Sequence, residues 1–364
     1  MEDHRLVVRP ILNNPYARAF CNEFTDPSSK RPKYVFGTND YAKSIADYIE
    51  VDGFVDDFTG DVSFLDKPIV AVTDLPESAL VVSAVMLKLL VAEKRLAKYE
   101  FEFLDYYSFE RYTDLPLRKP ILWNGFAEDF ATNRAKYNWM CDLLDDQMSK
   151  RQFYNIVNFL YSGDLGFMRG FSNREDEQYF EDFLELRDEG ECFLDVGAFD
   201  GYTSKEFIKR CPEYRKIYVF EPGEENMLEA KSRLSGFENI EFLQFGLSDS
   251  NKLLFFSHGA DGSSSTIVGQ GDIEVQVKRL DDLDIEPATF IKMDVEGGES
   301  FVLEGAKNTI LTTHPRLAVS AYHQAGDYWR IPEQIFNIRD DYSVYLRHYT
   351  EGLDETVIFF IPKK

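Results

Sequence analysis

Phe193-Leu194-Asp195-Val196-Gly197-Ala198-Phe199-Asp200-Gly201 reads as an apolar strand that runs into an acid, then a glycine turn, then a helix from Tyr202. Gly197 lets the backbone turn tightly and lets a ligand approach, because no Cβ intervenes. The helix start near Tyr202 offers free N–H groups to a carboxylate or phosphate. At the strand tip Asp195 can face a ligand amine or cation. Taken alone, two glycines at this spacing fit a purely structural turn equally well.

Working outward, the same strand-then-helix alternation recurs. Lys216–Phe220 reads as a strand and Glu224–Leu234 as a helix, with Glu221-Pro222 between them. An acid at the end of this strand accepts hydrogen bonds from ribose hydroxyls in nucleotide-binding α/β sheets, and Pro222 fixes the turn. Ile240–Phe245 is the next strand, closed by Gly246-Leu247-Ser248-Asp249. Asp249 there can accept from an adenine amino group or simply make a turn with Ser248. Leu253–Ser257 and Ile273–Val277 pair as a hairpin around a Gly/Ser-rich loop.

Phe290–Met293 is a further strand. It ends in Asp294-Val295-Glu296-Gly297-Gly298-Glu299, ahead of a helix from about Ser300 to Leu311. Three carboxylates gathered at a strand end repel unless a cation, a metal or a hydroxyl donor relieves them. An acidic helix N-terminus accounts for Glu299 but is less apt for Asp294. Leu317–Ala321 leads to Tyr322-His323, where the histidine is placed to act as a general base near neutral pH or to sit as a satisfied structural residue. Ser343–His348 and Glu355–Ile361 face each other as antiparallel strands, with His348 a lesser candidate.

Upstream lies a second α/β pattern. Lys33–Phe36, Val51–Val55 and Ile69–Val72 read as strands, Asp40–Tyr48 as a helix, and the apolar run Ala79–Ala92 as a buried helix. Short β-branched runs alternating with helices imply a parallel sheet. From Trp123 to Phe183 the periodicity turns helical. The division is an N-terminal arm (1–30, broken by Pro10, Pro15 and Pro27), a small α/β domain (31–115), a helical connector or lid (116–187) and a larger α/β domain (188–364).

Composition narrows the function. With 40 Lys and Arg against 64 Asp and Glu, the net charge is −24, which disfavours nucleic acid and anionic membranes as partners. Hydrophobic residues make up 44%, enough for a sizeable core. Four cysteines without a CxxC pair point to reduced thiols rather than a disulfide framework or zinc knuckle. The first residues lack the pattern of a signal peptide, so a cytoplasmic setting is expected.

Residues 188–364 resemble an FkbM-type methyltransferase. The matching stretches are LDVGAFDG at 194–201, FEP at 220–222, GLSD at 246–249, VKRLDDL at 277–283, IKMDVEGGE at 291–299 and LEGA at 303–306. The resemblance covers about residues 140–364, including a helical lead-in at 144–149. It implies a class I Rossmann-like methyltransferase domain, mostly parallel with an antiparallel final strand, preceded by a small Rossmann-like α/β domain and a helical connector. It further implies S-adenosyl-L-methionine as methyl donor and a hydroxyl acceptor on a sugar or polyketide.

By position, Asp195, Gly197, Ala198 and Gly201 would hold the methionine moiety. Glu221 and Pro222 would meet the ribose, and Ser248 and Asp249 the adenine. Asp294, Glu296 and His323 would line the acceptor side, with His323 or Asp294 as base. No metal centre is assigned, although a Mg²⁺-assisted variant would draw on Asp294, Glu296 and Asp249. The N-terminal unit, through VFGTND at 35–40 and GFVDD at 53–57, resembles the small domain of sugar-modifying acyltransferases. The alternative is therefore a nucleotide-sugar-binding protein, or an oxidoreductase or epimerase acting through that unit. It has neither a full G-x-G-x-x-G nor a Tyr-x-x-x-Lys pair.

Overall fold

The computed structural model describes residues 6–9, 13–120, 125–258, 265–268 and 273–364. Pro10, Trp123 and the Gly/Ser-rich loop at 259–264 lie outside the described residues. Within the first 30 residues, Pro15–Thr25 forms helix α1. Pro15, expected to break periodicity, instead stands in its first turn, where a missing N–H costs nothing, and Asn14 accepts from the Ala17 N–H at 3.0 Å. The helix packs on the small domain, with Phe24 edge-on to Phe109 at 5.2 Å. Residues 15–25 of the expected arm are thus a docked helix.

The small domain has strands β1 (Lys33–Phe36), β2 (Gly53–Val55), β3 (Ser63–Phe64), β4 (Lys67–Val70), β5 (Leu80–Ser83) and β6 (Glu102–Asp105). Their order is β3-β4-β2-β1-β5-β6, parallel apart from β3. Helices α2 (Asp40–Ala46), α3 (Leu89–Leu96) and α4 (Tyr106–Tyr112) complete it. The run 79–92 is not a single buried helix. Its first part is the inner strand β5, whose four residues are all buried, and only Leu89 onward is helical. A strand covered on both faces reads as a continuous apolar run, so period alone does not separate it from a buried helix.

Helices α5 (Phe126–Leu143) and α6 (Gln147–Ser162) follow. Phe153, Ile156, Val157 and Leu160 of α6 share one buried core with Leu194, Ile291 and Leu346 of the large sheet. The boundary expected at 187/188 therefore crosses a single packed body, and these helices are a layer of it.

That sheet contains β7 (Cys192–Val196), β8 (Lys216–Phe220) and β9 (Ile240–Leu243). Beside it a four-stranded sheet is formed by β10 (Gly246–Leu247), β11 (Lys252–His258), β12 (Ser265–Val268) and β13 (Ile273–Lys278). The expected pairing of β11 with β13 is present and antiparallel, with β12 added on the far side of β11. The large sheet resumes with β14 (Phe290–Met293), β15 (Arg316–Ser320), β16 (Tyr342–His348) and β17 (Thr356–Pro362). Its order is β16-β17-β15-β14-β7-β8-β9, with β17 antiparallel to both neighbours. This is the architecture of class I Rossmann-like methyltransferases.

Helices α7 (Tyr202–Arg210) and α8 (Glu224–Arg233) fall where expected. The helix expected after β14 is two, α9 (Glu299–Gly305) and α10 (Lys307–Thr313). Gly305 lies so close to the Ser248 carbonyl that a Cβ there would stand 2.0 Å from its oxygen. Helix α11 (Asp327–Ile338) was not apparent in the sequence, because Pro332 interrupts its pattern. Among the described residues no helix is long and apolar enough to cross a membrane.

His348, considered as a catalytic candidate, is structural. It is buried, Nε2 lies 3.0 Å from the Gly352 carbonyl, and Nδ1 lies 2.8 Å from the Thr356 hydroxyl. A carbonyl only accepts, so Nε2 carries the proton and Nδ1 accepts from Thr356. Burial lowers the imidazole from 6.5 to about 4. The unfolded chain therefore takes up this proton first, and stability falls as pH drops from 6.5 towards 4. Between pH 7 and pH 5 this residue should cost about 2 kcal/mol, at about 1.4 kcal/mol per pH unit. Urea titrations at both pH values should show that loss in the wild type and a smaller one in His348→Gln.

Candidate active site

The C-terminal ends of β7, β8, β14 and β15 form one edge, and the predicted residues stand along it except Ser248 and Asp249, which follow β10 of the smaller sheet. Asp195 is not open to a ligand as expected. It is fully buried, accepts from Ser204 Oγ at 2.7 Å and lies 3.3 Å from Lys292 Nζ. Lys292, also buried, donates to the Gly197 carbonyl as well. The cation that Asp195 faces belongs to the protein.

Gly197 has φ +75°, and a Cβ there would stand 1.7 Å from the Asp294 carbonyl oxygen. Protein backbone, rather than a ligand, makes this the first reason for a glycine. Gly201, at φ +77°, lies against Ala230 of α8, so its part is to let the two helices approach. The N–H groups of Gly197 and Ala198 both donate to the Phe220 carbonyl at 3.0 Å.

Glu221 braces this loop from β8. Its carboxylate accepts from the Phe199 N–H at 3.0 Å and the Gly223 N–H at 2.8 Å, and burial raises its pKa. The half-buried Pro222 carries the chain on to α8. Phe199, at φ +49° and 63% exposed, stands at the top of the turn.

Ser248 is buried and donates its N–H to the Lys278 carbonyl. Asp249 accepts from Lys252 at 2.8 Å and Ser250 at 2.9 Å, and the Lys252 ammonium holds its pKa down. Its carboxylate is engaged locally, which matches the turn role better than the adenine role.

The acceptor-side residues come together. Asp294 Oδ2 accepts from Tyr179 OH at 2.7 Å, and Tyr179 also lies 3.1 Å from Ser320 Oγ. Tyr322 OH stands 3.5 Å from both Asp294 oxygens. His323, just past the end of β15, meets the acids that follow β14, with Nδ1 3.0 Å from Glu299 Oε1. Its Nε2 lies 3.5 Å from Asp294 Oδ1 and 3.6 Å from Glu296 Oε2. Glu299 also accepts from the Val295 N–H at 2.9 Å. Glu296 takes φ +53°, beside Gly297 at φ +89°.

Burial alone would push the His323 imidazole down. Glu299, Asp294 and Glu296 outweigh it and raise it to about 10. That shift favours the protonated imidazole, which suits balancing the charge of these acids more than acting as the general base expected. Two further acids face the same ground. Burial lifts Asp327 to about 7, and burial with the charge of Asp294 lifts Glu355 to about 8.

Several of these residues escaped the sequence reading. Lys292 offered a signal, a lysine inside the otherwise apolar strand Phe290–Met293. Tyr179 and Glu355 offered none, since they arrive from distant segments. In the small domain, Asn39 accepts from the Tyr41 and Ala42 N–H groups and donates to the Ala84 carbonyl. The turn after β1 is therefore used internally.

Residues 195–349 match the methyltransferase FkbM domain model. Among curated proteins, the 2-O-methyltransferase NoeI of Sinorhizobium fredii (strain NBRC 101917 / NGR234) is 25% identical over 144 residues. That match spans 33% of this chain and 59% of the relative's length. Among solved structures, a methyltransferase FkbM from Methylobacillus flagellatus KT superposes with a TM-score of 0.76 at 21% identity. It covers 98% of this chain and 96% of its own, so the small domain and the helical layer share its architecture.

The buried Asp195–Lys292 pair yields a direct test. Lys292→Met leaves a carboxylate buried without its counter-charge and should cost about 3–5 kcal/mol. The double variant Asp195→Asn, Lys292→Met should lose much less than the sum of the single changes in urea denaturation. Additive losses would show that the two charges are not coupled.

Proposed function

We propose that the chain is an S-adenosyl-L-methionine-dependent O-methyltransferase whose acceptor is a hydroxyl of a sugar or a related natural-product or polysaccharide molecule. The observation that carries this reading is the close seating of two adjacent strand ends. The glycine turn after β7, the donor-binding position of a class I sheet, touches the backbone of Asp294, where the acidic cluster begins. That closeness supports neighbouring places for a sulfonium methyl and an acceptor hydroxyl. The printed name of the curated relative, a 2-O-methyltransferase, supports oxygen as the methylated atom.

In this reading the turn Gly197–Gly201 and Glu221 hold the donor. Glu221 already accepts from the loop N–H groups, and its two oxygens retain lone pairs for ribose hydroxyls. Methyl transfer is a displacement at carbon: the acceptor oxygen bonds to the methyl as the sulfur–carbon bond breaks, and S-adenosylhomocysteine leaves. Alignment of oxygen, carbon and sulfur supplies much of the rate. The hydroxyl proton passes to a carboxylate of the cluster, Asp294 or Glu296, while protonated His323 steadies their charge. The small acceptor and the cytoplasmic setting belong to the same proposal.

Calorimetry should show one S-adenosylhomocysteine bound per chain, weakened at least about 10-fold in Glu221→Ala, the cost of roughly 1.4 kcal/mol of lost hydrogen bonding. With acceptor supplied, Asp294→Asn should lower kcat by about 10²–10⁴ while keeping donor affinity. Absence of heat with donor and product on folded protein would overturn the proposal.

A further inference from the structure

Around His323 the acids are spaced as ligands stand around an ion. The side chain is 10% exposed, both ring nitrogens are buried, and Nε2 has no hydrogen-bond partner. Nε2 points between Asp294 Oδ1 at 3.5 Å and Glu296 Oε2 at 3.6 Å, beyond good hydrogen-bond length. Donors bound at about 2.0–2.2 Å to one metal ion stand about 3.0–3.6 Å from each other. One donor atom each from Asp294, Glu299 and His323 falls within 4.8 Å of the others, and Glu296, outside that group, adds a carboxylate oxygen 3.6 Å from Nε2.

The surroundings hold this arrangement in place. Tyr179 occupies Asp294 Oδ2, which leaves Oδ1 turned to the imidazole. Glu299 is buried and anchored by the Val295 N–H, and it faces Nδ1 at 3.0 Å. A carboxylate on one imidazole nitrogen that steers the other towards a metal is a recurrent arrangement at metal centres.

We propose that His323 Nε2, Asp294 and Glu296 bind a divalent transition-metal ion, with Glu299 orienting the imidazole through Nδ1. One imidazole with two carboxylates suits Mn²⁺ or Zn²⁺. The ion would occupy the place between the carboxylates and the imidazole that is otherwise held by a proton on His323. Glu296 is half-exposed, so the side of the ion away from the sheet remains open to water or to a ligand oxygen. The site does not depend on the identity of the methyl donor.

The test uses the full chain and Mn²⁺, with free ion followed by electron paramagnetic resonance and Zn²⁺ uptake followed by calorimetry. One ion should bind per chain. Glu296→Gln, at a half-exposed position that leaves the fold intact by circular dichroism, should weaken binding about 10–100-fold, and His323→Ala should abolish it. No uptake of either metal at millimolar concentration overturns the assignment, as does uptake unchanged in both variants. S-adenosylhomocysteine titrated into the same samples separates the two proposals. Its binding without metal uptake leaves the donor reading standing and removes the ion, and the reverse result does the opposite.

Discussion

Two opposite charges sealed between neighbouring strands set the geometry of this edge. Asp195 on β7 and Lys292 on β14 lie 3.3 Å apart with almost no exposure. At an effective dielectric of about 20 their attraction is about 5 kcal/mol, which roughly balances the several kcal/mol it costs to strip each ion of water. The pair alone is therefore not a large source of stability. The balance is tipped by its further bonds, from Ser204 to Asp195 and from Lys292 to the Gly197 carbonyl. Those bonds fasten the turn after β7 to β14. Because Gly197 has no Cβ, the Asp294 carbonyl sits directly against that turn. A shift of either strand would have to break the pair or drive two backbones together.

The large sheet was readable for a physical reason. Buried parallel strands have to be nearly all apolar, and they end where polar residues meet the ligand edge. Cys192–Val196, Lys216–Phe220 and Phe290–Met293 obey both conditions. The same rule misled at residues 79–92, where a doubly buried strand followed by a helix gives one apolar run. Helix α11 was hidden by Pro332, although Tyr328, Trp329, Ile331 and Ile335 are its buried face.

The site was legible as far as it is made of strand ends. Asp294, Glu296 and His323 come from two hydrogen-bonded neighbours, β14 and β15, so short spans of sequence place them together. Tyr179, Asp327 and Glu355 reach the same ground from a connecting loop, a helix start and a turn before β17. Their approach depends on tertiary packing that no local pattern encodes. Asp195 stands at the strand tip as expected, but the sequence does not show that it faces a protein cation, because that lysine lies 97 positions further along and reads as part of a strand.

The acidic cluster shows why such packing matters for chemistry. Asp294, Glu296, Glu299, Asp327 and Glu355 would repel one another if all were ionised in a poorly hydrated space. The structure relieves this in three ways. Tyr179 donates to Asp294, the Val295 and Gln324 N–H groups donate to Glu299 and Asp327, and a positively charged His323 stands among the nearest acids. Asp327 and Glu355 are raised towards neutrality and bind protons more readily than ordinary carboxylates. A proton on His323, a metal ion in its place and the proton released by an acceptor hydroxyl would all answer the same excess of negative potential. The cluster is therefore kept, at some cost to stability, in a state that any of these positive species improves.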